Sequence, residues 1–241
     1  MSLLSPERVL VGLAPHEVTL MRERGRIKKT LVEQKTVPCD PALGPQPWHG
    51  ALETLKALKL EQRATVVLSN HFVRYALVPW SNALAGEAEE QAYVRHHFAK
   101  IYGERAKSWA LRWSENGKSA RLAAAIDGEL VAQLKRSLPR LASVQPYLMA
   151  AVNRSRRLIP HQGAWLALVE EGRACIALHS GGAVRSVQNL RGDWLDLLER
   201  ERHRVSGQAP AAPQLALVAG AQPEPATPGW QFRPLQGGLA H

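Results

Sequence analysis

The sequence predicts an α/β chain on three observations. β-rich runs gather at both ends, a strand–helix–strand–strand–helix pattern fills the middle, and helical periods separate these blocks. Composition agrees with a folded chain. Of 241 residues, 45% are hydrophobic and 22% charged, and 18 glycines with 16 prolines suit many turns but no fibrous or low-complexity design. This length allows one full-sized domain or two small lobes.

Arg8 to Leu13 is an apolar run. Val18 and Leu20, then Ile27 and Leu31, alternate with polar residues on either side of Glu23-Arg24-Gly25-Arg26, which reads as an antiparallel hairpin. Pro38, Pro41, Pro45 and Pro47 impose a loop, and Leu52, Leu55 and Leu58 give a helix over Trp48 to Leu60. Thr65 to Leu68 is a short strand. Asn70-His71 turns it into Phe72 to Val78, with Val73, Tyr75 and Leu77 on one face and Pro79 as the stop.

Glu87 to Tyr102 reads as a helix, with Val94, Phe98, Ile101 and Tyr102 in one stripe and acidic residues in the first turn, where they suit the helix dipole. Trp109, Leu111 and Trp113 line a strand face, Asn116-Gly117 makes a tight turn, and Leu122 to Ile126 returns. Leu130, Leu134, Leu138 and Leu141 predict a helix from Gly128 to Leu141, and Tyr147 to Leu158 predicts another, ending in Arg154, Arg156 and Arg157. Three strands follow: Ala164 to Val169, Ala174 to Leu178 and Val184 to Leu190, joined at Glu171-Gly172 and Gly181-Gly182. Asp193 caps a helix from Trp194 to Arg204. Beyond Gly207 prolines mark loops around Leu215 to Val218 and Trp230 to Arg233.

Several chemistries fall away on spacing. No stretch is apolar enough to span a bilayer and the first residues lack a signal-peptide pattern, so the chain is expected to stay where it is made. Cys39 and Cys175 have no partners at zinc spacing and read as reduced thiols, Cys175 within the core. Gly117-Lys118-Ser119 imitates the end of a P-loop, but Arg112 stands where that motif needs glycine, so a hairpin turn is the reading. His96-His97 reads as a solvated helix face and His179-Ser180 as a turn, since neither has a third group to complete a metal site or a triad.

The 31 Lys+Arg exceed the 21 Asp+Glu, for a net charge of +10, and Arg22, Arg24, Arg26, Lys28 and Lys29 cluster on the first hairpin. No helix-turn-helix, RNP-type motif or zinc finger accompanies them. Specific nucleic-acid recognition is therefore not expected; a solvated basic edge or an acidic partner is the reading, with anionic lipid headgroups a further candidate. Of the seven tryptophans, Trp109, Trp113 and Trp165 are expected in the core and Trp80 at a partner contact.

The order hairpin, helix, βαββα insert, helix, meander, helix, strand resembles the actin-like assembly proteins of type IV pilus and type II secretion systems, the PilM, GspL and MshI group. The likeness rests on Arg8 to Arg22, on Val66-Val67-Leu68-Ser69 with Phe72 to Trp80, on Leu122 to Ile126 leading into Leu130 to Leu134, and on Trp165 to Leu190. It implies an actin-like (ribonuclease H-like) fold of two lobes, the second shortened, with a βαββα inserted subdomain. The implied divisions are 1–71 for the N-terminal part of the first lobe, 72–142 for the insert, 143–162 for a returning helix and 163–241 for the second lobe with its Pro-rich end.

In such folds glycine-rich hairpins carrying an acid hold the nucleotide phosphates and magnesium, because backbone N–H groups approach phosphate only where side chains are absent. The matching positions here are Gly12, Glu170, Gly172 and Gly220. They read as vestigial: Gly12-Leu13-Ala14-Pro15-His16 lacks the aspartate and Pro15 removes a donor, Glu171 adds negative charge, and the adenosine-binding glycine pair is reduced to Ala219-Gly220. The resemblance thus implies a non-catalytic cytoplasmic scaffold, peripheral to the inner membrane, without ATP, magnesium or another metal. Its implied partner is the cytosolic tail of a single-span inner-membrane assembly protein, contacted by Phe72, Arg74, Tyr75 and Trp80, with a homo-oligomer as a further option. The alternatives are a working actin-like ATPase rebuilt around Glu170 and a nonspecific nucleic-acid binder.

Overall fold

A computed structural model describes residues 7–25, 30–84, 86–114, 119–206, 214–223, 227–235 and 239. Of the turn expected over Glu23–Arg26, Glu23 and Arg24 instead continue the strand Glu17–Arg24 and Gly25 follows it, while Arg26 and Ile27, the basic residues Lys28 and Lys29, and the expected turn at Asn116-Gly117 lie outside the described residues.

The chain opens with β1 (Glu7–Leu13), β2 (Glu17–Arg24) and β3 (Thr30–Pro38), an antiparallel meander in which β2 and β3 are the arms of the predicted hairpin. β3 is almost wholly exposed, an outer strand with few residues to bury, and it runs on to Pro38, past the Leu31 at which the alternation in the sequence ends. A bulge at Val32, Lys35 near the middle and Pro38 at the end guard this edge against pairing. Helix α1 (His49–Ala57) follows the proline loop, then β4 (Ala64–Leu68) pairs parallel to β1.

β5 (Val73–Val78), α2 (Glu87–Tyr102), a 3-10 turn (Gly103–Ser108), β6 (Trp109–Trp113) and β7 (Arg121–Asp127) form the expected insert, with strand order β5-β7-β6. Its core joins Val94 and Phe98 of α2 to Ala76, Val78, Leu111, Ala123 and Ala125, with Trp109 and Trp113 packed at the margin. The tryptophan alternation is legible in the sequence because a strand buried on one face has period two.

The helix predicted to run to Leu141 stops earlier. α3 spans Gly128–Ser137, and Leu138, extended at φ −120 and ψ 94, precedes Pro139, whose ring disfavours helix in the residue before it. Leu141 is therefore no part of that helix and instead opens β8 (Leu141–Pro146), a strand parallel to β4 that the leucine period conceals. Asp127 caps α3 by accepting the Glu129 N–H at 3.0 Å, and its other oxygen accepts the Trp48 indole N–H at 3.1 Å. One side chain thereby fastens α3 to the start of α1. Asp127→Ala should cost about 1–2 kcal/mol in urea unfolding.

Helix α4 (Tyr147–Ser155) leads into β9 (Ala164–Glu170), β10 (Arg173–Ser180) and β11 (Ala183–Leu190). Gly181 and Gly182, at φ +58 and +78, make the two-residue β10–β11 turn, for which both central residues need positive φ. Then come α5 (Trp194–Ser206), β12 (Gln214–Ala219) and β13 (Trp230–Pro234). Asp193 caps α5, accepting the Leu195 and Asp196 N–H groups at 2.9 and 3.1 Å. Trp165, Ala167, Ile176, Leu198, Val218 and Trp230 form this sheet's core. Cys175 is fully buried, and burial pushes its thiol far above the usual range. Glu201 of α5 is buried too. Burial alone would raise its pKa, but hydrogen bonds from Arg204 and Ser186 hold it below the ordinary carboxylate value and pin α5 to β11.

The two large sheets repeat one design. Their orders are β3-β2-β1-β4-β8 and β11-β10-β9-β12-β13, each with two antiparallel pairings followed by two parallel ones. The first carries α1 and α3 in its crossovers. The second carries α5 alone, with no helix between β12 and β13 among the described residues, which is the expected shortening.

The described residues within 1–73, 127–150 and 239–241 form one compact unit, and those within 74–126 and 151–238 form the other. This division differs from the sequence-derived boundaries, since α3, read as the end of the insert, packs on α1. Among the described residues no helix is long and apolar enough to cross a membrane.

Candidate functional site

In the first sheet, Gly12 lies within the ladder, buried and paired with Thr19 and Val67, one residue before β1 ends. The turn after it, Ala14-Pro15-His16, offers little to a phosphate. The Ala14 N–H donates to the Glu17 carbonyl at 3.0 Å, Pro15 has no N–H, and the His16 carbonyl accepts from Cys39 at 2.8 Å. The end of β1 is further tied to the residue after β4, since the Leu13 carbonyl accepts the Ser69 N–H at 2.9 Å.

The second sheet brings Glu170, Gly172 and Gly220 to one end of β9 and β12. Gly172, at φ +66, has open space where a Cβ would stand, so its backbone can be approached. Gly220 is a different case. At φ +80, a Cβ on it would lie 1.9 Å from the Val169 carbonyl oxygen, so glycine is demanded by the close passage of the chain after β12 across the end of β9. Packing of the sheet end accounts for Gly220.

Glu170 and Glu171 flank the turn, and Arg173 closes it opposite Glu170. Its Nη1 donates to the Asn189 carbonyl at 3.1 Å and to Asn189 Oδ1 at 3.2 Å. Burial, then the nearby guanidiniums of Arg74 and Arg191, lower its pKa, with Glu170 opposing. Among the described residues no group of three or more His, Cys, Asp or Glu could hold a metal ion.

The predicted partner contacts divide by burial. Phe72 is only 6% exposed, so its ring belongs to the interior and supplies no surface in this conformation. The chain reaches it through a serine turn: Ser69 Oγ accepts the His71 N–H at 3.1 Å and its carbonyl accepts the Phe72 N–H at 3.0 Å. Along β5, Val73, Ala76 and Val78 are buried while Arg74, Tyr75 and Leu77 stay partly exposed; Trp80, just past Pro79, is half-buried. β5 is an outer strand of its three-stranded sheet, which leaves one backbone edge outside that sheet's ladder.

A cavity of about 600 Å³ opens at the far end of β9 and β12 from Glu170, with Trp165, Leu178 and Leu215 in its wall and Leu158, Gln231 and Arg233 at its mouth. The Trp165 indole N–H donates to Gln214 Oε1 at 2.8 Å. The lining residues come from four separate chain segments, so no local spacing in the sequence announces this cavity.

Duplicated five-stranded sheets of this order, with an insert between the fourth strand and the crossover of the first, define an actin-like fold. Solved structures agree. The cytoplasmic domain of EpsL, an inner-membrane component of the type II secretion system of Vibrio cholerae, is 12% identical, with a TM-score of 0.64 over 97% of this chain and 91% of its own. A Bacteroides thetaiotaomicron protein of actin-like ATPase fold and unknown function gives 0.60 at 12% identity, over 90% and 83%. The PilM–PilN type IV pilus biogenesis complex gives 0.60 at 16% identity, over 89% and 81%. No family model and no curated protein matches the sequence. At these identities the likeness establishes the fold.

Proposed function

We propose that the chain is a non-catalytic scaffold of a type IV pilus or type II secretion-like assembly machine, working at the cytoplasmic face of the inner membrane, where it captures the cytosolic tail of a membrane-anchored partner. The observation that carries this reading is the fold shared, over nearly the full length of both chains, with an inner-membrane component of a type II secretion system, supported by its sharing with a pilus biogenesis complex. The local chemistry supports binding over catalysis. In the β1–β2 turn the Ala14 N–H is spent on the Glu17 carbonyl and Pro15 has none to offer, the β9–β10 turn carries Glu171 with Glu170 just before it, and Gly220 is explained by packing.

The tail is expected along β5, paired to its outer edge with side chains against Tyr75 and Trp80 and an acidic residue near Arg74. The test is fluorescence anisotropy with a labelled peptide copying the cytosolic segment of a single-span protein encoded beside this one. Saturable binding is expected, weakening about tenfold or more in Tyr75→Ala and Trp80→Ala. Binding unaffected by either substitution would remove β5 from the interface.

A further inference from the structure

From Leu130 to Val169 the sequence contains no aspartate or glutamate, while it carries Lys135, Arg136, Arg140, Arg154, Arg156 and Arg157. The second half of this acid-free run, past Ala150, belongs to the same unit as β9–β13. After α4 ends at Ser155, Arg156, Arg157 and Leu158 are all exposed, Leu158 by 53%, which sets an apolar side chain beside two guanidiniums at the surface. Neither arginine forms an ion pair among the described residues. The segment is held by its backbone, with Leu158 and Ile159 N–H groups both donating to the Ser155 carbonyl at 2.7 and 3.1 Å, so the outward display is built in. Leu158 also stands at the mouth of the 600 Å³ cavity, together with Arg233, and among the described residues no carboxylate lines that cavity.

We propose that this rim is a docking surface for an anionic phospholipid bilayer. Arg156, Arg157 and Arg233 meet headgroup phosphates, and Leu158 enters the boundary of the acyl region. Charge complementarity selects this occupant: guanidiniums with no ion pair among the described residues stand around one exposed leucine, beside a cavity whose described lining holds no carboxylate, and so combine electrostatic and apolar attraction as interfacial anchors do. The inference rests on the reading that the chain works at the inner membrane. It adds the face that would lie against the lipid, on residues separate from β5.

The test is partition of the full chain onto large vesicles of phosphatidylglycerol with phosphatidylcholine, against phosphatidylcholine alone. Binding to the anionic vesicles only, weakening as salt rises, is expected. Each of Arg156→Ala and Arg157→Ala should lower the partition coefficient about fivefold, and Leu158→Ser should lower it too. Arg22→Ala with Arg24→Ala, on β2 of the other unit, should leave it unchanged. These side chains are not buried, so unaltered thermal melting checks that each variant folds. No partition onto anionic vesicles, loss only in the Arg22/Arg24 variant, or equal competition by duplex DNA would each overturn the proposal. Tail-peptide binding without vesicle binding refutes this surface alone; vesicle binding without tail binding refutes the scaffold reading alone.

Discussion

Gly220→Ala is expected to destabilise the second sheet by about 3 kcal/mol or more. Two independent costs add. An alanine at φ +80 occupies a backbone region that L side chains rarely adopt, and its Cβ would lie 1.9 Å from the Val169 carbonyl oxygen, a rigid backbone atom already committed to the end of β9. The strand end must therefore move. That displaces the parallel pairing in which Ala219 sits opposite Leu168 and Val218 opposite Ala167. Gly172→Ala is the control, since it also has positive φ but meets nothing within 4 Å, so only the conformational cost of about 1 kcal/mol applies. Urea unfolding of the two variants separates the contributions; equal losses would show that the contact with Val169 is relieved cheaply.

Phe98→Ala is expected to cost about 3–5 kcal/mol, concentrated in the insert. Phe98 is fully buried, stacked on Tyr102 at a centroid distance of 6.1 Å and set edge-on to Trp109 at 6.4 Å. No neighbouring side chain in this small core can fill the space of the ring. Because α2 holds the sheet that presents β5, amide protection is expected to collapse across residues 74–126, and tail binding to fall with it, while β9–β13 keep their protection. Loss of protection throughout the chain would show instead that the insert and the second sheet unfold as one.

These two residues differ in how far the sequence reveals them. Phe98 belongs to a helical stripe with Val94 and Tyr102, so its burial is readable from period alone. Gly220 draws notice for a family reason, whereas its physical reason, a backbone oxygen of a strand about fifty residues earlier, exists only in three dimensions. The same division runs through the fold. The β9–β11 meander announces itself through apolar runs and glycine turns, and the Asp193 cap through its position before Trp194. The far half of β3 and the whole of β8 stay hidden for opposite reasons. β3 past Leu31 is an exposed edge with nothing to bury, and β8 begins with a leucine in phase with the preceding helix, so that only Pro139 marks the break. Phe72 illustrates the limit at the site: an aromatic beside a strand looks identical in sequence whether it faces a partner or the interior.

The central claim is that an actin-like architecture here serves binding without a nucleotide. Thermal unfolding with and without millimolar Mg-ATP tests it most directly. A ligand at a hundred times its dissociation constant adds about 2.7 kcal/mol to stability, a rise of about 5 °C or more for a chain of this size. Superimposable curves are predicted; a dose-dependent rise that requires magnesium would contradict the claim.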